Sequence, residues 1–169
     1  LSSVFNIPLA TGTIKNMVTR CAESLKDTYE QIRLKMITLG LIHCDETGSR
    51  VDGKTCWVHV ASDQNYTYLT INQKRGQAGM DAANVLPHAN AIIMHDCWSS
   101  YWKYQNVTHA ICCAHLLREL NGVIENHPEQ TWAVRFKKLL LDMKKVRDKA
   151  LLLDKDEVKI GRASCRERV

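Results

Sequence analysis

Asp96 closes the run Ala91-Ile92-Ile93-Met94-His95, in which four apolar residues lead through a histidine to an acid. A turn of aromatic and small residues follows, Cys97-Trp98-Ser99-Ser100-Tyr101-Trp102. The pattern predicts a buried strand that delivers a carboxylate at its C-terminal end. Such a carboxylate must hydrogen-bond, pair with a cation or hold a metal, because an isolated charge at the edge of an apolar core is costly. Another short strand-like run, Leu41-Ile42-His43-Cys44-Asp45-Glu46-Thr47-Gly48, also carries acids. Two carboxylates on neighbouring strands would make a hard-oxygen site suited to Mg²⁺ or Mn²⁺.

Alternation along the earlier strand puts His43, Asp45 and Thr47 on one face and Cys44 and Glu46 on the other. Only one of the adjacent acids can therefore face the same site as Asp96. Asp45 is the candidate, and Glu46 is left as a supporting or surface group. The competing explanation is that Asp45 and Asp96 are strand-end acids making local hydrogen bonds.

The elements that must position these acids can be taken in order. Apolar residues Ile14, Met17, Val18, Cys21, Leu25, Tyr29, Ile32 and Met36 recur at three- and four-residue steps, which predicts a long amphipathic helix from Thr11 to about Leu39. Thr11 or Thr13 would cap it and Gly40 would end it. This helix is expected to be a scaffold packed on the domain; the alternative is the tail of a helix-turn-helix that touches DNA. After Gly40 the period changes to two, predicting strands at Leu41 to Val51, Thr55 to Ala61 and Tyr66 to Asn72, with a turn at Asp52-Gly53-Lys54. A helix over Gln73 to Leu86, opened by Arg75-Gly76, precedes the Ala91 to Asp96 strand and lets it run parallel to an earlier one. A short aromatic turn (Trp98 to Tyr104), a strand (Val107 to Cys112) and helices over Ala114–Asn126 and Thr131 to about Leu153 complete the chain. The last helix carries a basic face of Lys137, Lys138, Lys144, Lys145 and Arg147, usually just solvated though able to lie along phosphates. Trp98, Tyr101, Trp102 and Tyr104 are expected to be core aromatics rather than platforms for an unpaired base.

The 169 residues, 45% apolar, suffice for one domain with a real core. No stretch approaches the roughly 20 apolar residues a bilayer crossing needs, and no signal segment opens the chain. A soluble, cytoplasmic protein is expected, and the start at Leu1 is expected not to be the natural N-terminus. Residues 160–169 lack apolar periodicity and read as a non-native tail. They hold three Arg and one Glu, so without them the net charge falls from +5 to +3, a mild basicity that permits nucleic-acid binding without arguing for it. The seven cysteines contain no C-x-x-C pair, which points to reduced, buried thiols rather than a zinc ribbon or a disulfide framework.

Three antiparallel strands followed by two more with interleaved helices form a mixed α/β pattern. The order resembles the ribonuclease H-like fold, a five-stranded mixed sheet with flanking helices, here preceded by the long N-terminal helix. That fold sets the first strand beside the fourth and would bring Asp45 to Asp96.

The phrases His43-Cys44-Asp45-Glu46-Thr47, His95-Asp96-Cys97-Trp98 and Cys113-Ala114-His115-Leu116-Leu117-Arg118-Glu119-Leu120 resemble, in this order, the transposases of the insertion sequence 66 (IS66) family. The resemblance runs from about Pro8 to Leu153. It implies a DNA transposase with an Asp-Asp-Glu triad and two divalent metal ions, Mg²⁺ or Mn²⁺, in which Asp45 matches the first acid and Asp96 the second. It also implies that His115 and Arg118 stand near the site or touch DNA, and Glu46, next to Asp45 in the chain, is counted with them. The partners implied are transposon-end and target DNA and a homo-oligomer in a transposition complex. The family's third acid lies downstream on a later helix, and the chain is expected to stop before it. Glu119, Glu125 and Glu129 do not stand in the phrase that carries the family's third acid. The chain therefore reads as a catalytic-domain fragment, inactive alone. Its expected parts are a helical lead-in (1–40), a partial catalytic core (41–127), a helical extension (128–159) and the tail (160–169). Alternatives are a non-catalytic nucleic-acid-binding or assembly module of the same fold, or another ribonuclease H-like nuclease.

Overall fold

Asp52 and Gly53 make the first turn of the sheet. Both adopt positive φ, 49° and 74°, which a two-residue hairpin turn demands and which Asp and Gly tolerate well. The turn joins strands β1 (Leu41–Val51) and β2 (Lys54–Ser62), antiparallel with Val51 opposite Lys54 and Glu46 opposite His59. Strand β3 (Thr67–Asn72) pairs antiparallel with the other edge of β2. The computed structural model describes residues 9–152; the expected tail at 160–169 lies outside the described residues.

Helix α1 (Thr11–Ser24) and helix α2 (Lys26–Ile37) replace the single expected helix, interrupted only at Leu25, whose φ −93° and ψ −2° stay right-handed. Ala10 rather than a threonine occupies the N-cap, with no side-chain capping bond. The expected packing is met by α2 alone. Met36 is fully buried, the Tyr29 hydroxyl donates to the Leu69 carbonyl at 2.8 Å, and Arg33 donates to the Asn84 carbonyl at 2.7 Å. No residue of α1 is buried.

Beyond β3, helix α3 (Gln77–Ala83) starts after Gly76 and is shorter than its pattern suggested. Asn84 ends it in the left-handed conformation, φ 55°, a C-terminal device open to Asn. Strand β4 (Ile92–His95) then returns parallel to β1, with Leu41 beside Ile92 and His43 beside Met94. Strand β5 (Thr108–Ile111) completes the order β3-β2-β1-β4-β5. The first strand lies beside the fourth, and the architecture is the mixed five-stranded α/β sheet of ribonuclease H-like order.

Ile42, Cys44 and Glu46 point to the buried side of β1, whereas Leu41, His43, Asp45 and Thr47 are exposed. On that buried side Ile42, Ile93, Met36, Met80, Val85 and Tyr101 form the centre of the core, each large apolar side chain contributing roughly 1.5–3 kcal/mol by leaving water. Gly79 brings α3 against the sheet. A Cβ there would lie 2.0 Å from the Lys74 carbonyl oxygen and 2.5 Å from His59 Nε2.

Contacts divide the chain after Ala110. In the second unit, helix α4 (Cys113–Asn126) and helix α5 (Thr131–Leu152) pack on each other, burying Leu120 and Ala133. The apolar side chains of α5 are only partly covered, since Trp132, Phe136 and Val146 are exposed. Its basic face is largely paired within the helix: Lys138 and Lys145 reach Asp142, while Lys144 and Arg147 reach Asp148.

Candidate active site

Two residues beyond the His43–Met94 pair, each chain reaches an acid: Asp45 on β1 and Asp96 just past the end of β4. Parallel partners present their side chains to the same face. Asp45 is exposed and Asp96 half-buried. The Oδ1 of Asp45 accepts the Glu46 N–H at 2.8 Å, and the Oδ1 of Asp96 accepts the Trp98 N–H at 2.9 Å. These are the local bonds that a strand-end acid makes. They engage one oxygen of each carboxylate, and neither acid forms an ion pair among the described residues.

Glu46 has the opposite fate. Its side chain is wholly buried, and both oxygens are engaged. Arg75 donates to Oε1 from Nε at 3.1 Å and from Nη2 at 3.0 Å, and the Tyr101 hydroxyl donates to Oε2 at 2.6 Å. The Arg75 guanidinium also lies against two rings, its Cζ 4.8 Å from the Trp57 centroid and 4.1 Å from that of Trp98. Burial and the Glu46 contact push the Tyr101 hydroxyl far above its ordinary pKa, keeping it a donor.

A buried histidine adjoins Asp96. His95 Nε2 meets His109 Nδ1 at 3.0 Å, and its Nδ1 contacts the Asp96 carbonyl. The His95 ring stacks on Tyr101 with centroids 4.5 Å apart. Desolvation holds its pKa below the usual histidine value, against the opposing effect of the Asp96 carbonyl. Cys44, buried and directly before Asp45 on β1, is pushed up to about 12 by burial first and by the Glu46 and Asp45 charges second. The cysteines are not uniformly buried as expected: Cys44 and Cys56 are, but Cys21 and Cys113 are exposed thiols.

His115 and Arg118 belong to the second unit, both on α4. The Nδ1 of His115 is buried without a hydrogen-bond partner among the described residues, and Arg118 is exposed. Glu119, Glu125 and Glu129 are exposed. Among the described residues no group of three or more His, Cys, Asp or Glu side chains gathers in a way that could hold a metal ion. Sequence reasoning missed Arg75, which it used only to open a helix, and assigned Tyr101 to the core without its hydroxyl contact. The available signal was Glu46 itself, since an acid on the inner face of a strand requires a buried partner.

Across residues 1–169 the chain matches the model of the transposase IS66 family. The chain belongs to the IS66 transposase family. This IS66-family chain is a catalytic-domain fragment of an Asp-Asp-Glu-type DNA transposase. No curated protein matches it. Among solved structures it is similar to the HTLV-2 integrase catalytic core domain in complex with magnesium, at 14% identity and a TM-score of 0.37, covering 57% of this chain and 81% of that one. It is also similar to the simian T-cell lymphotropic virus intasome in complex with PP2A regulatory subunit B56 gamma, at 12% identity and a TM-score of 0.35, covering 57% of this chain and 46% of that one. Among the described residues no helix is long and apolar enough to cross a membrane.

Proposed function

We propose that Asp45 and Asp96 are the first two acids of the transposase triad and together hold a divalent ion, Mg²⁺ or Mn²⁺, against the DNA backbone. The observation that carries this is the parallel β1–β4 register, in which both acids follow the His43–Met94 pair by two residues. The donor set fits: two hard carboxylates, each with one oxygen uncommitted and no basic side chain neutralising it among the described residues. The chemistry such an ion supplies when bound is Lewis-acid activation of a water or 3′-hydroxyl and stabilisation of the leaving oxygen at a DNA phosphate. The backbone amides of Glu46 and Trp98 hold the two carboxylates oriented. The buried His95, kept neutral by desolvation, adds no fixed positive charge to compete with a cation.

Titration of the chain with Mn²⁺, followed by quenching of tryptophan fluorescence, tests the assignment because Trp98 lies two residues past Asp96. Saturable quenching is expected, weak because only two carboxylates contribute, and Asp45→Asn or Asp96→Asn should each remove it with the circular dichroism unchanged. Quenching that survives both substitutions would sink the assignment.

A further inference from the structure

We infer that Glu46 is a positioning residue, which acts through Arg75 and Tyr101 to fix the turn that presents Asp96. This rests on the proposed role of Asp96 and extends it to residues that touch no substrate. Three segments distant in sequence converge on one carboxylate: β1 supplies Glu46, the loop before α3 supplies Arg75, and the turn after β4 supplies Tyr101.

Each link in the chain of contacts is directional. Both nitrogens that Arg75 turns toward Glu46 bind the single oxygen Oε1, which fixes the guanidinium plane. The face of that plane covers the Trp98 ring at 4.1 Å, a cation–π contact strengthened by partial burial. The Trp98 backbone N–H in turn donates to Asp96 Oδ1. From the other side, the Tyr101 N–H donates to the Trp98 carbonyl at 3.2 Å while its hydroxyl binds Glu46 Oε2. The segment from Asp96 to Tyr101 is therefore held at both ends by Glu46, the residue next to Asp45 in the chain. The adjacent pair Asp45-Glu46 divides the work, with Asp45 exposed on one face and Glu46 anchoring from the other.

The test uses the metal-free full chain. Amide hydrogen exchange of Trp98 is compared with that of the β1–β2 ladder in the wild type, Glu46→Gln and Tyr101→Phe. In both variants Trp98 should exchange about tenfold faster while the ladder amides move only with global stability. The Mn²⁺ concentration needed for half-maximal quenching should rise in parallel. Equal acceleration of Trp98 and the ladder would reduce Glu46 to a general stabiliser and overturn the inference, as would unchanged Trp98 exchange. Should Asp96→Asn leave Mn²⁺ quenching intact, the proposed metal site fails, whereas the Trp98 exchange result still decides whether Glu46 holds the turn.

Discussion

Arg75 places two donors on Glu46 Oε1, at 3.1 and 3.0 Å, from a side chain that is itself 39% exposed, while the Glu46 side chain is 0% exposed. The asymmetry predicts unequal mutational costs. Arg75→Met strands a buried carboxylate with only the Tyr101 hydroxyl and should destabilise the chain by about 3 kcal/mol. Glu46→Gln leaves Arg75 free to reach water and retains a hydrogen-bonding oxygen, so about 1 kcal/mol is expected. Urea unfolding of both variants measures this, and a larger loss for Glu46→Gln would refute the burial argument.

Gly79→Ala should be among the most damaging single-methyl additions in the sheet unit. The new Cβ would sit 2.0 Å from the Lys74 carbonyl, a backbone atom that cannot swing aside, and 2.5 Å from the buried His59 ring. Overpacking of this kind costs about 3 kcal/mol. Thermal unfolding should show a clear drop for Gly79→Ala and almost none for Gly12→Ala, where a Cβ meets nothing within 4 Å.

The alkaline side of the stability profile is set by neutral buried groups. Cys44 ionises near 9.0 in the unfolded chain but is pushed up to about 12 in the fold, and burial raises Tyr101 and Tyr104 as well. A raised folded pKa means that the stabilisation is complete below pH 9.0 and is lost as pH climbs toward 12. Each shifted group should remove about 1.4 kcal/mol per pH unit in its window. The urea midpoint should therefore fall above pH 9.0, and Cys44→Ala should flatten the onset; a midpoint level to pH 11 in the wild type would contradict this. At pH 8, exposed Cys21 should react with iodoacetamide while Cys44 stays protected.

The sheet was legible because its signals are local. Alternation through β1 predicted which side chains share a face, though not that the face of Cys44 and Glu46 is the buried one, and Asp52-Gly53 marked the hairpin. The break at Leu25 was not legible, since the residue keeps right-handed angles and disturbs no apolar spacing. Helix periodicity also overstated packing: Ile14, Met17 and Val18 have the right spacing but stay exposed, because periodicity describes a helix's own face and not whether anything covers it. Asp45 and Asp96, the two acids of the proposed site, could be named from sequence. The Arg75 contact could not, because it joins residues far apart in the chain through a side chain whose turn context suggested only a helix start.

The parallel pairing of β1 with β4 also orders events in time. Strands β1, β2 and β3 follow one another through short turns, so Asp45 is set in structure whose contacts are close in sequence and form early. Asp96 arrives only when the crossover through α3 has closed and β4 has docked, the slower kind of step. Capacity for a divalent ion, on the role proposed for the two acids, is thus among the last properties the refolding chain acquires. Stopped-flow refolding in Mn²⁺ should show the far-UV signal returning before tryptophan quenching does, and simultaneous recovery would mean that the crossover closes along with the meander.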